Sequence, residues 1–193
     1  MKSLLLSFVL TVCLATGANA HQGMLALFAD RDNHECHTAL GVGQIRNLYL
    51  TYVRGDGPFL GPAYEFKLLK STPGALFMEP TWPADIVLTI GTIQTGISLT
   101  AATCFAFQDC VSLGTIPIIN LSDPDTFTVE VVPDPGQVPQ HALVILKCDP
   151  QYSIYPVAGG MFVFNAGCHS PLDPFGVVST KETTWGAIKE LYR

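Results

Sequence analysis

Residues 63–69 have the sequence AYEFKLL, in which apolar and polar side chains alternate. Successive side chains of an extended strand point to opposite faces, so Tyr64, Phe66 and Leu68 share one face and the two charged side chains share the other. This pattern predicts a half-buried β-strand. Such a strand needs a second layer of structure to cover its apolar face.

Strand-like segments recur along the whole chain and are separated by glycine and proline. The sequence contains 17 glycines and 14 prolines, and only 13% of its residues are charged. Many short strands joined by tight turns predict an all-β fold, a two-sheet antiparallel sandwich of the immunoglobulin-like jelly-roll type. The predicted strands are 24–30, 47–53, 63–69, 85–90, 96–107, 111–119, 127–132 and 142–148.

The first twenty residues predict a secretory signal peptide. Lys2 precedes an apolar run at 4–14, and small residues follow, ending at Ala20. These are the basic, apolar and small-residue parts of such a signal. The apolar run is too short to span a bilayer. We therefore expect cleavage near Ala20, a mature chain that begins at His21, and a secreted or periplasmic location.

The mature chain is expected to form one domain followed by a tail. In the tail, Trp185, Ile188 and Tyr192 would line one side of a short amphipathic helix. Two interpretations stay open: this side packs on the sandwich, or it docks on a partner protein. The expected division is a signal peptide at 1–20, a β-sandwich at 21–169, a linker at 170–182 and the helical tail at 183–193.

The charge balance limits the partners of the chain. Sixteen acidic residues outnumber ten basic ones, which gives a formal net charge of −6, and the basic residues do not cluster. An acidic surface repels nucleic acid and anionic membranes. No second long apolar segment follows the signal, so we expect no membrane span.

Six cysteines are present, of which Cys13 lies in the predicted signal. An oxidising compartment favours disulfides among the others. Residues 151–167 resemble a hairpin that turns near Ala158, which would place the cysteines on its two sides opposite each other. Two further cysteines flank a short loop. The expected pairs are Cys104–Cys110 and Cys148–Cys168, with Cys36 unpaired.

Five segments together resemble a group of secreted bacterial proteins of uncharacterised function, and the tail motif WGxIKxLYR is the most specific of them. The order of strands from 24 to 147 is similar to that of cohesin-type domains, which are jelly-roll sandwiches. The resemblance implies a sandwich and an adhesive or scaffolding role; it assigns no functional residue, because fold does not fix function. The segments are LALFADRDNHEC (25–36), NLYLTYV (47–53), AYEFKLL (63–69), LGTIPI (113–118) and TWGAIKELYR (184–193).

Two metal sites are candidates. Asp30, Asp32 and Glu35 lie in one polar loop and offer carboxylate oxygens to calcium, although the loop lacks the glycine and distal acid of an EF-hand. The alternative is a solvated loop without metal. His21, once freed by cleavage, has an α-amino group and an imidazole that together chelate copper. Secreted polysaccharide monooxygenases use such a brace, with a second histidine that His141 or His169 would supply.

Motifs for other enzyme classes are missing from the sequence. It contains no GxSxG, HExxH or phosphate-binding loop. A glycosidase needs two opposed carboxylates, and Glu65 with Glu79 is one candidate pair, but Glu65 is expected on the outer surface. Aromatic residues between 57 and 83 could form a sugar-binding platform, although core packing is the expected role of Phe59, Tyr64, Phe77 and Trp82.

These patterns predict a secreted or periplasmic, non-enzymatic binding or structural protein, part of an extracellular assembly. The expected partner is another extracellular protein or a polysaccharide. No cofactor is expected apart from the calcium considered for the 30–35 loop. The alternative function is a copper-dependent polysaccharide oxidase that uses His21.

Overall fold

The computed structural model describes residues 23–32, 35–54, 61–105, 109–122, 125–134, 143–148, 151 and 153–167. These residues form twelve β-strands and no helix, so the all-β prediction is confirmed. The strands are β1 (Met24–Phe28), β2 (His37–Thr38), β3 (Ile45–Val53), β4 (Ala63–Lys70), β5 (Ala75–Phe77), β6 (Ile86–Thr92), β7 (Gly96–Ala101), β8 (Cys110–Asn120), β9 (Phe127–Val132), β10 (Leu143–Leu146), β11 (Ile154–Gly159) and β12 (Met161–Phe164).

One continuous run of paired strands surrounds the core. In order of pairing the run is β6, β7, β4, β10, β11, β1, β3, β8 and β5. Only the β1–β11 pair in this run is parallel. The run does not close, since β5 and β6 do not pair with each other. These two strands are therefore the free edges of the run.

A shorter branch begins at β4. The second half of β4 pairs with β9, from Lys67 opposite Val132 to Lys70 opposite Val129. β9 then pairs with β12, and β12 pairs in parallel with the two-residue β2. β4 is consequently the strand on which the run and the branch meet.

The alternation of residues 63–69 is confirmed by the structure. Tyr64 and Phe66 are fully buried and Leu68 almost so, whereas the residues between them are half-buried on the outward side. β9 follows the same rule, with Phe127, Val129 and Val131 inward. Inward side chains from nearly all the strands form a single core cluster, which stabilises the sheet by removing apolar area from water.

The predicted hairpin at 151–167 is wrong. β11 and β12 do not pair with each other: β11 pairs with β10 and β1, and β12 pairs with β9 and β2. Gly160 donates its N–H to the Leu25 carbonyl and accepts a bond from the Val131 N–H. The glycines therefore let the extended chain pass from one neighbour to the next, where a reversal was predicted.

The predicted disulfide pattern is also wrong. Cys104 is bonded to Cys148, with the Cα atoms 6.0 Å apart, so neither Cys104–Cys110 nor Cys148–Cys168 forms. Among the described cysteines Cys110 is free, and Cys36 is disulfide-bonded where it was expected unpaired. The physical reason is topological. β7 pairs with β4 and β8 pairs with β3, so the residues on either side of the 105–109 loop belong to different strand neighbourhoods.

Several predictions lie outside the described residues. They are the signal peptide, the ligand His21, the second-ligand candidates His141 and His169, the pairing partner Cys168, the linker, and the tail with Trp185, Ile188 and Tyr192. None of the described residues belongs to a helix that could cross a membrane.

Candidate functional site

The open side of the sheet is the candidate site. We use this name for β5, β6 and the cleft between them. The cleft has a volume of about 520 Å³, within the range of small-ligand sites. The segment from Phe77 to Trp82 lines one side, and residues of β6 and the following turn, from Thr89 to Gln94, line the other.

β6 is the most exposed strand of the structure. Val87, Leu88 and Ile90 are 62%, 49% and 60% exposed. The sequence of the strand, IVLTIGT, contains neither a charge nor a proline. Among the described residues β6 pairs only with β7, so its other edge leaves backbone N–H and C=O groups without a neighbouring strand. Proteins usually avoid long, uncharged, apolar edges of this kind because they pair with other chains.

Two glycines allow the tight turn between β6 and β7. Gly91 and Gly96 have φ values of 88° and 129°, a region that side chains with a Cβ rarely adopt. The hydroxyl of Thr92 accepts the Thr95 N–H at 3.2 Å. Ile93, in the turn, is 5% exposed, and its carbonyl accepts the Leu68 N–H at 2.7 Å. The turn is thereby fixed to β4, which holds the hairpin in place.

The outward side chains of β6, β7 and β4 form a continuous surface that we call the outer face. The strand register places Leu88 beside Thr100 and Ala63, and Ile90 beside Ser98 and Glu65. The Ser98 hydroxyl donates to Glu65 Oε1 at 2.9 Å. The outer face is thus apolar at the β6 edge and carries hydroxyl and carboxylate groups towards its centre. Protein-binding patches typically have an apolar region bordered by polar groups.

Trp82 supports the opposite side of the cleft. The backbone N–H and C=O of Thr81 both bond to Thr115 of β8, at 2.8 Å each. The Trp82 ring then packs against Gly114, where an added Cβ would come within 2.4 Å of it. The segment after β5 is in this way fixed on β8, and the indole is only partly buried.

The Cys104–Cys148 disulfide anchors the β6 side of the cleft. Cys104 follows β7 and Cys148 follows β10, the two strands that flank the first half of β4. Beneath them Gly61 precedes β4, with space only for a glycine because an added Cβ would overlap the Leu146 carbonyl. The bond therefore cross-links the strands on both sides of β4 at the point where β4 begins.

Of the three predicted calcium ligands, Asp30 accepts loop hydrogen bonds with its carboxylate. Asp30 Oδ1 accepts the Asp32 N–H at 3.0 Å, and Asp30 Oδ2 accepts the Glu35 N–H at 3.4 Å. Such bonds are typical of Asx turns. Within the described part of the chain, no three His, Cys, Asp or Glu side chains lie close enough to hold a metal ion.

The carboxylates and aromatic residues that were considered for sugar chemistry are not brought together. Glu65 lies on the outer face, as predicted, whereas Glu79 lines the cleft. Tyr64 is fully buried, and Phe77 and Trp82 pack partly against the core; Phe59 lies outside the described residues. The structure thus gives core packing to three of these four aromatic residues.

Tyr64 and Cys110 are titratable groups of the sheet whose pKa values are raised. The Tyr64 hydroxyl has no hydrogen-bond partner among the described residues. Burial, and to a lesser extent Tyr52, raises the pKa of Tyr64 far above its ordinary value near 10. Burial also raises the pKa of the Cys110 thiol, with a further contribution from the Asp109 carboxylate. Neither group faces the cleft, and both remain neutral at ordinary pH.

The edge strand β6 was missed as a functional element by the sequence reasoning. Residues 85–90 are predicted as a strand, with no binding role assigned to their side chains. The available signal was the run IVLTI, which has no polar alternation, is uncharged and precedes a glycine-containing turn. Sequence alone does not tell a strand buried on both faces from an exposed edge.

Comparison with known proteins bears on the fold. No protein-family model matches the chain, and no curated protein matches it in sequence. Among solved structures the chain is similar to cohesin modules, which agrees with a cohesin-like β-sandwich.

Two of these structures have the following measures. The cohesin module of a family 33 glycoside hydrolase from Clostridium perfringens has a TM-score of 0.55 and 7% identity, covering 75% of this chain and 96% of that module. The third ScaB cohesin of R. flavefaciens, solved in complex with a group 1 dockerin, has a TM-score of 0.52 and 9% identity, covering 78% and 99%. At these identities the likeness shows the fold alone.

Proposed function

We propose that this chain is a secreted or periplasmic, non-enzymatic protein-binding module of an extracellular assembly, and that a protein partner binds on its outer face. The observation that carries the proposal is the exposed apolar edge formed by Leu88 and Ile90, next to the hydroxyl and carboxylate groups of Thr100, Ser98 and Glu65.

The fold supports a binding role. One of the solved cohesins that the chain resembles was determined with a dockerin, which is a protein partner. A disulfide in the sandwich is consistent with an oxidising, extracytoplasmic compartment. The partner of this chain, by the chemistry of the outer face, would offer apolar side chains to β6 and hydrogen-bond donors to Glu65.

A partner pull-down with the purified chain tests this proposal. The chain is immobilised, extracellular proteins of the producing cell are passed over it, and the bound proteins are quantified by mass spectrometry. Thr100→Arg would place a large charged side chain in the middle of the outer face and should lower capture of the partner about tenfold.

The matched control is Thr115→Arg. Thr115 is also a half-buried, outward threonine, but it lies on β8, away from the outer face. This variant should capture the partner as the unaltered chain does. Equal loss in both variants, or no loss in Thr100→Arg, would remove the outer face as the binding surface.

A further inference from the structure

The free edge of β6 carries an inference that goes beyond the proposed function. Both proposals use Leu88 and Ile90, but the proposed function is measured by capture of a partner and this inference by self-association of the purified chain, so the two can fail separately. We propose that β6 pairs antiparallel with β6 of a second copy of this chain and joins two sheets into one.

The first step is the contrast between β6 and the other ends of the sheet. β2 has two residues and β5 has three, and Thr81 extends the β5 side through its bridge to β8. β6 has seven residues. Charge, proline and a covering chain, three of the usual protections of an edge, are absent from Ile86–Thr92 among the described residues, and the irregularity at Val87 leaves Leu88–Ile90 regular.

The second step is the choice of partner. An uncharged apolar edge favours another uncharged apolar edge, and a second copy supplies one by identity. In an antiparallel pair with its two-fold axis at Thr89, Leu88 of each copy lies opposite Ile90 of the other. These four side chains then share one side, which is the cross-strand contact that stabilises sheets. A two-fold interface of this kind closes on itself and does not extend to fibres.

The third step concerns irregular backbone. A register shift between Ile86 and Leu88 leaves Val87 as an extra residue in β6, and Gly91 has a positive φ. The same two-fold axis at Thr89 places Val87 of one copy opposite Gly91 of the other. Residues 88–90, where the strand is regular, therefore pair with residues 88–90 of the second copy. The Val87 side chain, which is 62% exposed, lies opposite Gly91, which has no side chain.

The fourth step is charge. Asp85 immediately precedes β6, and the turn residues 93–95 carry no charge. An antiparallel pair places the two Asp85 side chains at opposite ends, each beside an uncharged turn. A parallel pair would place them side by side, which is unfavourable. The chain has a net charge of −6, so two copies repel each other. They can meet at this uncharged edge with little repulsion.

The first test is the oligomeric state of the purified chain across a range of concentrations, measured by sedimentation. We expect a dimer that dissociates on dilution, because the interface is short. Ile90→Lys, which places two like charges near the two-fold axis, should weaken the dimer about tenfold or more. Ile154→Lys is the control, since Ile154 is 53% exposed but lies on β11, and it should leave the dimer unchanged. A monomer at every concentration, or equal loss in both variants, overturns the proposal.

The second test uses Thr89→Cys and does not depend on the behaviour of Ile90→Lys. Cys110→Ser is added to both samples to remove the free thiol. Residue 89 lies opposite itself in the proposed pair, at a Cα separation that a disulfide can span. Mild oxidation should give a cross-linked dimer on a non-reducing gel. Val42→Cys, at a 54% exposed position outside β6, should not. Absence of the cross-linked dimer in Thr89→Cys, or equal cross-linking in Val42→Cys, contradicts this pairing.

Discussion

The two free edges of the run, β5 and β6, differ in how they are protected. β5 is short, and the segment after it carries Pro80 and Pro83 and is fixed to β8 by Thr81 and Trp82. β6 is longer, uncharged and without proline. Folding needs only that the core be covered, and both edges achieve this. We connect this difference with the binding proposed at β6.

The anchors behind the two edges also differ. On the β6 side a covalent bond, Cys104–Cys148, ties β7 to β10 across β4. On the β5 side the anchor is the packing of Trp82 on Gly114. Removing each anchor separately shows how much each edge depends on it.

The largest effect is expected from loss of the disulfide. The bonded cysteines are 44 residues apart, and the chain-entropy relation gives a loss of about 4 kcal/mol in the free energy of unfolding. The double variant Cys104→Ser with Cys148→Ser, followed by urea, measures this loss. Cys110→Ser is the control and should change stability by less than about 1 kcal/mol. A large loss in Cys110→Ser would instead favour the Cys104–Cys110 pair.

The second effect concerns the β5 side. Gly114→Val would place a side chain where the Trp82 ring lies, at a Cβ distance of 2.4 Å, and should lower stability by about 2–3 kcal/mol. It should also loosen the segment from 78 to 83 and make the β5 edge accessible, which hydrogen exchange of Ala75–Phe77 would detect. Gly167→Val, where an added Cβ meets nothing within 4 Å, serves as control. Equal stability of both variants would mean that Trp82 does not hold this edge.

A smaller effect is expected behind β6, at Tyr64. Its buried hydroxyl has no partner among the described residues, so Tyr64→Phe should change stability by less than about 1 kcal/mol, and in the stabilising direction. Burial raises the Tyr64 pKa. Above pH 10 the unfolded chain therefore loses the phenol proton first, and stability falls as the pH rises.

Tyr64→Phe removes this contribution, so its stability should fall less between pH 10 and 12. Burial is the main cause that raises the pKa of Tyr52 to about 12. Because Tyr52 is still present in the variant, part of the loss of stability at high pH should remain. Chemical unfolding at several alkaline pH values checks both statements. An equal fall in the variant and in the unaltered chain would show that the Tyr64 proton is not linked to folding.

The smallest effect is chemical and concerns Cys110, on the strand that carries β5. Burial and the Asp109 charge raise its thiol pKa, so little thiolate is present at pH 8 and alkylation should be slower than for an unhindered cysteine. Asp109→Asn should speed the reaction about twofold, because Asp109 is largely exposed and its charge is screened. A rate that does not respond to this change would leave burial as the sole cause.

Part of this fold follows from local pattern. The alternation at 63–69 and at 127–132 is set by side chains that are near each other in sequence, and the structure confirms the inward residues. The cohesin-like sandwich is likewise consistent with the order of strands. Glu65 lies outward as its position in the alternation requires.

Features that depend on long-range pairing did not follow from pattern. The Gly159–Gly160 pair looks like a turn locally, but contacts with Leu25 and Val131, distant in sequence, keep the chain extended. The Cys104–Cys148 bond depends on β7 and β10 both pairing with β4. The exposure of β6 likewise depends on which strand fails to pair with it, and the run IVLTI does not by itself distinguish an exposed edge from a buried strand.

Hydrogen exchange of β6 and β5 at low and high protein concentration distinguishes a pairing edge from one that is merely exposed. We predict that the amides of Ile86–Thr92 exchange fast in dilute solution and become protected as the concentration rises, while those of Ala75–Phe77 do not change. Exchange in β6 that is independent of concentration, or protection that rises equally in both strands, would contradict the assignment of β6 as a pairing edge.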